Sequence, residues 1–205
     1  YGRASRTGKP SLRLRAEQAP PSARARMAQD IARMDAMISE ILDYAAVQAR
    51  GATIAEPINL ADLSGEVIDA FAPTSIPLDV TTRATVSAGV ARVRRVLLNL
   101  VQNALRYGEE VVLEVSVEDG WSTIRVMDRG PGLEADDLEK VFEPFYRLER
   151  SRSRKTGGVG LGLSIARELA LVDNGEVWLE RRRGGGLTAV LRYPVQSHDF
   201  EAERP

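Results

Sequence analysis

Asn99 and Asn103 stand four residues apart in the run NLVQNALRY. On a helix that spacing puts both amides on one face. Amide oxygens are hard, neutral ligands suited to Mg²⁺, which takes few protein ligands and leaves positions for phosphate and water. Arg106 and Tyr107 lie a turn further on, placed for phosphate contact. A second segment, DRGPG, sets Asp128 at the end of an apolar run, followed by Gly130 and Gly132. A carboxylate accepts a hydrogen bond from an exocyclic amine, which suits adenine. A third segment, GGVGLGL, runs from Gly157 to Leu163 and opens directly into a helical pattern. Glycines let backbone N–H groups approach phosphate, and a helix N-terminus favours anions. Each motif alone is weak. Two helical Asn are more often solvated, an Asp before Gly-Pro-Gly can be a plain turn, and Gly-rich loops are common. The loop lacks the Lys-Ser/Thr of a Walker A motif, and it does not follow a strand as a Rossmann fingerprint must.

Elements predicted from periodicity place these motifs. Residues 89–107 form a helix around VRRVLLNLVQNAL, and 161–172 form another. Strands are expected at TIAEPINL, 77–82, 111–118 and 122–128, the last two joined by a turn at Asp119-Gly120. EVWLERR and TAVLRYPV make a closing hairpin around Gly184-Gly185-Gly186. Helices are also expected at 60–71 and 134–140. FEPFYR, Phe142 to Arg147, carries two aromatics around a proline, expected to pack as an anchor for the polar, basic loop at 147–158.

Upstream, Met27, Ile31, Met34, Ile38, Ile41 and Ala45 recur at alternating steps of four and three, a heptad seam. Ser22 is a plausible N-cap and Gly51 a stop. The expected organisation is a helical hairpin over 1–50 that dimerises into a four-helix bundle, an α/β module over 54–195, and a polar tail over 196–205. The fold class is α+β.

Composition prunes the alternatives. The 205 residues carry 28 basic and 29 acidic side chains, a net charge of −1, so no bulk field invites nucleic acid. There is no cysteine, which excludes disulfides and thiolate chemistry, and one histidine, which excludes any site needing two imidazoles. That residue, His198, sits in the polar tail SHDFEAERP. No apolar run approaches the length of a membrane helix, so the chain is expected to be cytoplasmic. It begins at Tyr1 and is expected to be part of a longer protein.

In order, Asn-x3-Asn, Asp-x-Gly-x-Gly, Phe-x-Pro-Phe and Gly-x-Gly-x-Gly resemble the ATP-binding catalytic domain of bacterial sensor histidine kinases. Their ATPase superfamily includes gyrase B, MutL and a heat-shock chaperone. FEPFYR and the basic segment after it resemble the kinase branch. The resemblance implies an α/β sandwich with a mixed, mostly antiparallel sheet and helices on one face. It implies ATP and Mg²⁺ as ligands. Asn103 then matches the Mg²⁺ ligand and Asn99 a phosphate or Mg²⁺ contact. Arg106 and Tyr107 match positions lining phosphates and base. Asp128 matches the carboxylate that reads the adenine amine. Gly130, Gly132, Gly158, Gly160 and Gly162, with Leu161 and Leu163, match the nucleotide-binding loops. Arg147, Arg150, Arg152, Arg154 and Lys155 make a basic lid, Lys155 being counted with the nucleotide contacts. The implied partners are a second copy of the chain and the receiver domain of a response regulator. The implied parent is anchored in the bacterial inner membrane.

The same resemblance exposes a gap. The family motif His-Glu-x-x-Thr/Asn-Pro precedes a run like Leu12 to Glu17 here, and Arg6-Thr7 fits its Arg-Thr. In that register Arg3 stands where the phosphoacceptor histidine belongs, Ala4 replaces the acid and Gly8 the proline. Imidazole is a nucleophile near neutral pH; a permanently charged guanidinium is not. Thr7 matches a position that resembles the family's phosphatase-assisting residue. Three explanations stand open: a degenerate kinase that binds nucleotide, a kinase whose first residues are altered, or phosphorylation in trans of another polypeptide. A non-catalytic or phosphatase-type scaffold that binds a receiver domain is the alternative function. An anti-sigma serine kinase fits less well, because of the heptad helix and FEPFYR.

Overall fold

The computed structural model describes residues 54–148 and 160–196, together with Ala23, Met27, Ala28, Ile31, Met34, Ile38, Ile41 and Leu42 upstream. The chain divides into two compact units, residues 1–39 and 40–205. In the first unit Ala23, Met27, Ala28, Ile31, Met34 and Ile38 are all helical, and Met27, Ile31, Met34 and Ile38 are exposed. These four seam residues are therefore helical with their apolar side chains uncovered. The expected hairpin partner, Arg3 and Thr7 lie outside the described residues.

In the second unit Ile41 and Leu42 are helical, and from residue 54 the first element is β1 (Glu56–Asn59), whose next residue opens helix α1 (Leu60–Asp69). Asn59 is the N-cap: its side-chain oxygen accepts from the N–H groups of Ala61 at 3.0 Å and Asp62 at 3.3 Å. β2 (Leu78–Val80), β3 (Thr85–Ala88) and helix α2 (Val90–Tyr107) follow. Strands β4 (Val112–Glu118) and β5 (Trp121–Met127) turn at Asp119 and Gly120, both at positive φ, as the sequence predicted. A single turn, α3 (Asp137–Lys140), leads to residues 141–148. Helix α4 (Gly162–Val172), β6 (Glu176–Arg181) and β7 (Leu187–Pro194) complete the unit.

The main sheet has the order β2-β4-β5-β7-β6. Only β2 and β4 pair in parallel. β3 was not expected from the sequence; it pairs antiparallel with β1 in a separate two-stranded sheet. It is four residues long, and only Val86 and Ala88 mark an inward face, too short an alternation to register. The expected helix at 134–140 shrinks to one turn, and that at 60–71 ends at Asp69.

Alternation decides which face of the sheet is covered. Leu113 and Val115 of β4, Ile124 and Val126 of β5, and Leu191 and Tyr193 of β7 point to one side. There they meet Val93, Val96, Leu97 and Leu100 of α2 and Ile165, Ala166 and Leu169 of α4 in a single core. Truncating one such Leu or Ile to Ala costs about 2–5 kcal/mol. The opposite face is roofed by its own side chains. Arg125 donates to Ser116 Oγ at 2.9 Å, and the Arg192 guanidinium lies 4.3 Å from the Trp121 ring centre and 5.1 Å from that of Trp178.

Candidate nucleotide-binding site

A cavity of about 670 Å³ opens between α2, the end of β5 and residues 131–148. That is a common size for a small-molecule site. Asn99, Asn103 and Arg106 repeat at i, i+4 and i+7, so the core stripe of α2 faces the sheet while this adjacent stripe walls the cavity. Tyr107, at the last residue of the helix, also lines it. The floor is apolar: Val126, Leu179, Leu187 and Ala189 come from three adjacent strands. Flat aliphatic side chains beside a single carboxylate suit a planar base with an amine at its edge.

That carboxylate is Asp128, the first residue beyond β5 and only 8% exposed. Its Oδ1 accepts from the N–H of Gly130 at 2.7 Å and of Leu187 at 3.3 Å. Its Oδ2 has no partner among the described residues. One oxygen is thus fixed by the protein and the other is left for a donor in the cavity.

The glycines divide by role. Gly162 is the first residue of α4, and a Cβ there would lie 3.8 Å from Asn99 Oδ1, so the helix N-terminus and the amide face each other. Gly132, Gly160 and Leu163 also line the cavity. Gly160 has φ +86°, and a Cβ would come within 2.8 Å of the Tyr146 carbonyl oxygen. Its own carbonyl accepts from Phe145 N–H at 3.0 Å. Gly130 and Leu161, expected among the nucleotide contacts, have other surroundings. Gly130 is absent from the lining, and a Cβ there would sit 2.6 Å from the Tyr107 carbonyl oxygen, so it allows the Asp128 loop to press on the end of α2. Leu161 has a fully buried side chain in the core, and its carbonyl accepts from Ile165 N–H and Ser164 Oγ–H.

FEPFYR is half the anchor expected of it. Phe142 is buried, with the Arg167 guanidinium 3.5 Å from its ring centre. Arg167 also pairs with Glu139, holding that carboxyl below its ordinary range. Tyr146 Oη donates to Asp137 at 2.9 Å. Phe145 is 61% exposed at φ 66° and packs on little, contrary to the expectation that both aromatics anchor the loop. Arg147 lines the cavity; Arg150, Arg152, Arg154, Lys155, Gly158 and His198 lie outside the described residues.

The donor set can be tested against a cation. Asn99 Nδ2 is buried with no hydrogen-bond partner among the described residues, a donor that a ligand oxygen would satisfy. Among the described residues no group of three or more His, Cys, Asp or Glu could hold a metal. A cation here would rest on amide oxygen, with the remaining positions filled by ligand oxygens and water. That fits Mg²⁺ and the Asn103 side chain.

Residues 89–197, more than half of the chain, match the family described as histidine kinase-, DNA gyrase B- and HSP90-like ATPase. The chain belongs to this ATPase family. Its relatives place it among the sensor histidine kinases. The sensor protein CutS of Streptomyces coelicolor is 37% identical over 149 residues, covering 68% of this chain and 36% of that protein. The sensor histidine kinase CpxA of Escherichia coli is 33% identical over 186 residues, covering 83% of this chain and 39% of that protein. The chain therefore spans well under half the length of these relatives. Full-length ShkA, solved in complex with AMPPNP, superposes with a TM-score of 0.66 at 27% identity, over 77% of this chain and 35% of that one. The α/β unit is an ATP-binding catalytic domain of the sensor histidine kinase type, and Asn99, Asn103 and Asp128 line one cavity in it. Among the contributors missed from sequence, Leu179, Leu187 and Ala189 carry no motif, and only the pairing of β5, β7 and β6 brings them under Asp128.

Proposed function

We propose that this chain is the nucleotide-binding core of a two-component sensor kinase and that it binds ATP with Mg²⁺ in the cavity. The reading rests on one observation: a carboxylate with a free oxygen over an apolar floor, opposite two helical amides. In it Asp128 Oδ2 accepts from the adenine amine, and Leu179, Leu187 and Ala189 lie under the ring. Arg106 and Tyr107 contact phosphate and base. Asn99 donates its unpaired Nδ2–H to a phosphate oxygen, and Gly160 and Gly162 bring backbone close to the phosphates. Mg²⁺, carried on Asn103, supplies charge neutralisation at the phosphates. Arg147 adds a positive charge on the same side. Such fixed charges stabilise a transferring phosphoryl group. Transfer forms a bond from an acceptor nitrogen to the γ-phosphorus, breaks the bond to the bridging oxygen, and releases ADP.

The same proposal holds that this chain lacks a phosphoacceptor of its own, because Arg3 stands at that position in the family register and His198 is the sole histidine; a degenerate kinase, altered first residues and transfer to another polypeptide are the three explanations. The exposed seam at Met27, Ile31, Met34 and Ile38 supports homodimerisation through the helical segment. A receiver domain as partner and an inner-membrane location for the whole protein belong to the same proposal. Among the described residues no helix is long and apolar enough to cross a membrane.

Titration with a fluorescent ATP analogue and Mg²⁺ tests the core of the proposal. Saturable binding that weakens in Asn103→Ala supports it; absence of saturable binding sinks it. With [γ-³²P]ATP the chain alone is expected to take up no acid-labile label. Arg3 and Thr7 favour a second reading, a phosphatase-type or non-catalytic scaffold for a receiver domain. Faster phosphate loss from a phosphorylated regulator in the presence of the chain, abolished by Thr7→Ala, would favour it.

A further inference from the structure

The link between β6 and β7 reads Arg182-Arg183-Gly184-Gly185-Gly186 and converges on Asp128 from a distance of more than fifty residues in sequence. Arg182 Nη1 donates to the Asp128 carbonyl oxygen at 2.8 Å. Asp128 N–H donates to the Leu187 carbonyl at 2.9 Å, and Leu187 N–H returns to Asp128 Oδ1 at 3.3 Å. Arg129, the neighbour of Asp128, donates from Nη1 to the carbonyls of Arg183 at 3.0 Å and Gly185 at 3.2 Å. Gly186 is buried at φ +93°, and a Cβ there would collide with the Asp128 carbonyl oxygen. Every backbone polar atom of Asp128 and one of its two carboxylate oxygens are therefore held from the hairpin side. The remaining oxygen is aimed by default.

We propose that Arg182, seated by Gly186, is a positioning residue that sets base selectivity by fixing where Asp128 presents its free oxygen. The proposal rests on Asp128 reading the exocyclic amine of the base. Arg182 is not among the residues that line the cavity. It clamps the main chain on which the recognising carboxylate turns. A guanidinium bonded to a carbonyl is a strong clamp, and its removal leaves the peptide plane between Asp128 and Arg129 held on one side only, by the Arg129 N–H donating to the Glu109 carbonyl at 2.8 Å, so that the Asp128 end can tilt. A displaced carboxylate costs affinity only for a base that has an amine to offer it.

The test compares ATP with inosine triphosphate, whose 6-oxo group cannot donate to a carboxylate, by equilibrium binding to the full chain with Mg²⁺. The wild type is expected to prefer ATP, and Asp128→Asn to lose that preference. Arg182→Ala is expected to weaken ATP by about tenfold, the scale of one hydrogen bond to a charged group, with inosine triphosphate little changed. Arg182→Lys, which keeps a cationic donor, should recover part of the preference. The double variant Arg182→Ala, Asp128→Asn should show no further loss of selectivity beyond Asp128→Asn. Thermal melts separate selectivity from folding; if Arg182→Ala does not fold, Arg182→Lys and Arg182→Gln are compared instead. A wild-type preference retained in every folded Arg182 variant but lost in Asp128→Asn overturns the positioning role alone. A wild type without preference, or an Asp128→Asn that keeps it, overturns the reading of Asp128 and the proposal with it.

Discussion

Arg92, in the first turn of α2, and Asp173, the residue that ends α4, form a bidentate ion pair with both side chains 3% exposed. Arg92 Nε donates to Asp173 Oδ2 at 2.7 Å, and Nη2 pairs with Oδ1. Asp173 Oδ2 also accepts the N–H of Gly89, the residue that caps α2, at 3.1 Å. The carboxylate raises the already high pKa of Arg92, against the opposing effect of burial. This pair ties the helix bearing Asn99 and Asn103 to the helix whose first turn faces them.

Removing either partner strands a charge in the interior. Asp173→Ala is expected to cost about 3–5 kcal/mol in urea unfolding. A double replacement, Arg92→Met with Asp173→Leu, is expected to recover most of that loss, since well-packed apolar groups often match a buried pair. A double variant no more stable than Asp173→Ala would mean that the pair is needed for the packing itself.

Asn103→Ala is expected to weaken Mg²⁺-dependent ATP-analogue binding by about ten- to a hundredfold, as loss of a contact to a charged group does. Binding measured in chelator should change much less. Asn99→Ala is expected to weaken binding under both conditions, because its Nδ2–H, unpartnered among the described residues, is proposed to donate to a phosphate oxygen whether or not Mg²⁺ is bound. Equal losses for both variants with and without Mg²⁺ would remove the cation from Asn103.

Tyr193 is fully buried, and its Oη has no hydrogen-bond partner among the described residues. Burial raises its pKa well above the ordinary value, the Asp173 charge raises it further, and Arg92 partly offsets both. The folded state binds this proton more tightly than the unfolded one. Its contribution to stability is therefore complete below about pH 10, the unfolded value, and is lost as pH rises towards the folded value. Tyr193→Phe should flatten that alkaline decline in thermal melts and cost little at neutral pH. A decline unchanged in the variant would assign it to other groups.

Glu139 behaves in the opposite sense. Its hydrogen bond from Arg167 lowers its pKa, so its contribution is present above the ordinary carboxylate range and lost as pH falls through the lowered folded value. The Glu139 side chain is 79% exposed, so Glu139→Gln should cost about 0–1 kcal/mol at neutral pH, less in high salt. Arg167→Ala should cost more, because it also uncovers the Phe142 ring. Equal costs would mean that the stacking on Phe142 contributes nothing.

What could be read from the chain followed local spacing. Asn99 and Asn103 were legible because a helix converts a four-residue step into a shared face. Asp128 was legible because it ends a strand and precedes glycines. The turn at Asp119-Gly120 was legible for the same kind of reason. Arg92 was not: among charged residues on a helix it looks like solvent-facing surface until Asp173 arrives from another helix. Nor was Arg182, which reads as one of three arginines before a turn. Its role depends on the β5–β7 register that sets Leu187 beside Asp128. Leu161 looked like part of a phosphate loop because its neighbours are glycines, yet tertiary packing took it into the core.

The roof over the outer face of the sheet has a spectroscopic consequence. Trp121 and Trp178 are the only two tryptophans of the chain, and both lie against the same guanidinium, Arg192. That face points away from the helices and from the cavity, which contains neither indole. Intrinsic tryptophan emission therefore reports the integrity of β5, β6 and β7 and stays nearly silent to nucleotide. One chain thus offers an optical signal for folding that a ligand titration does not contaminate.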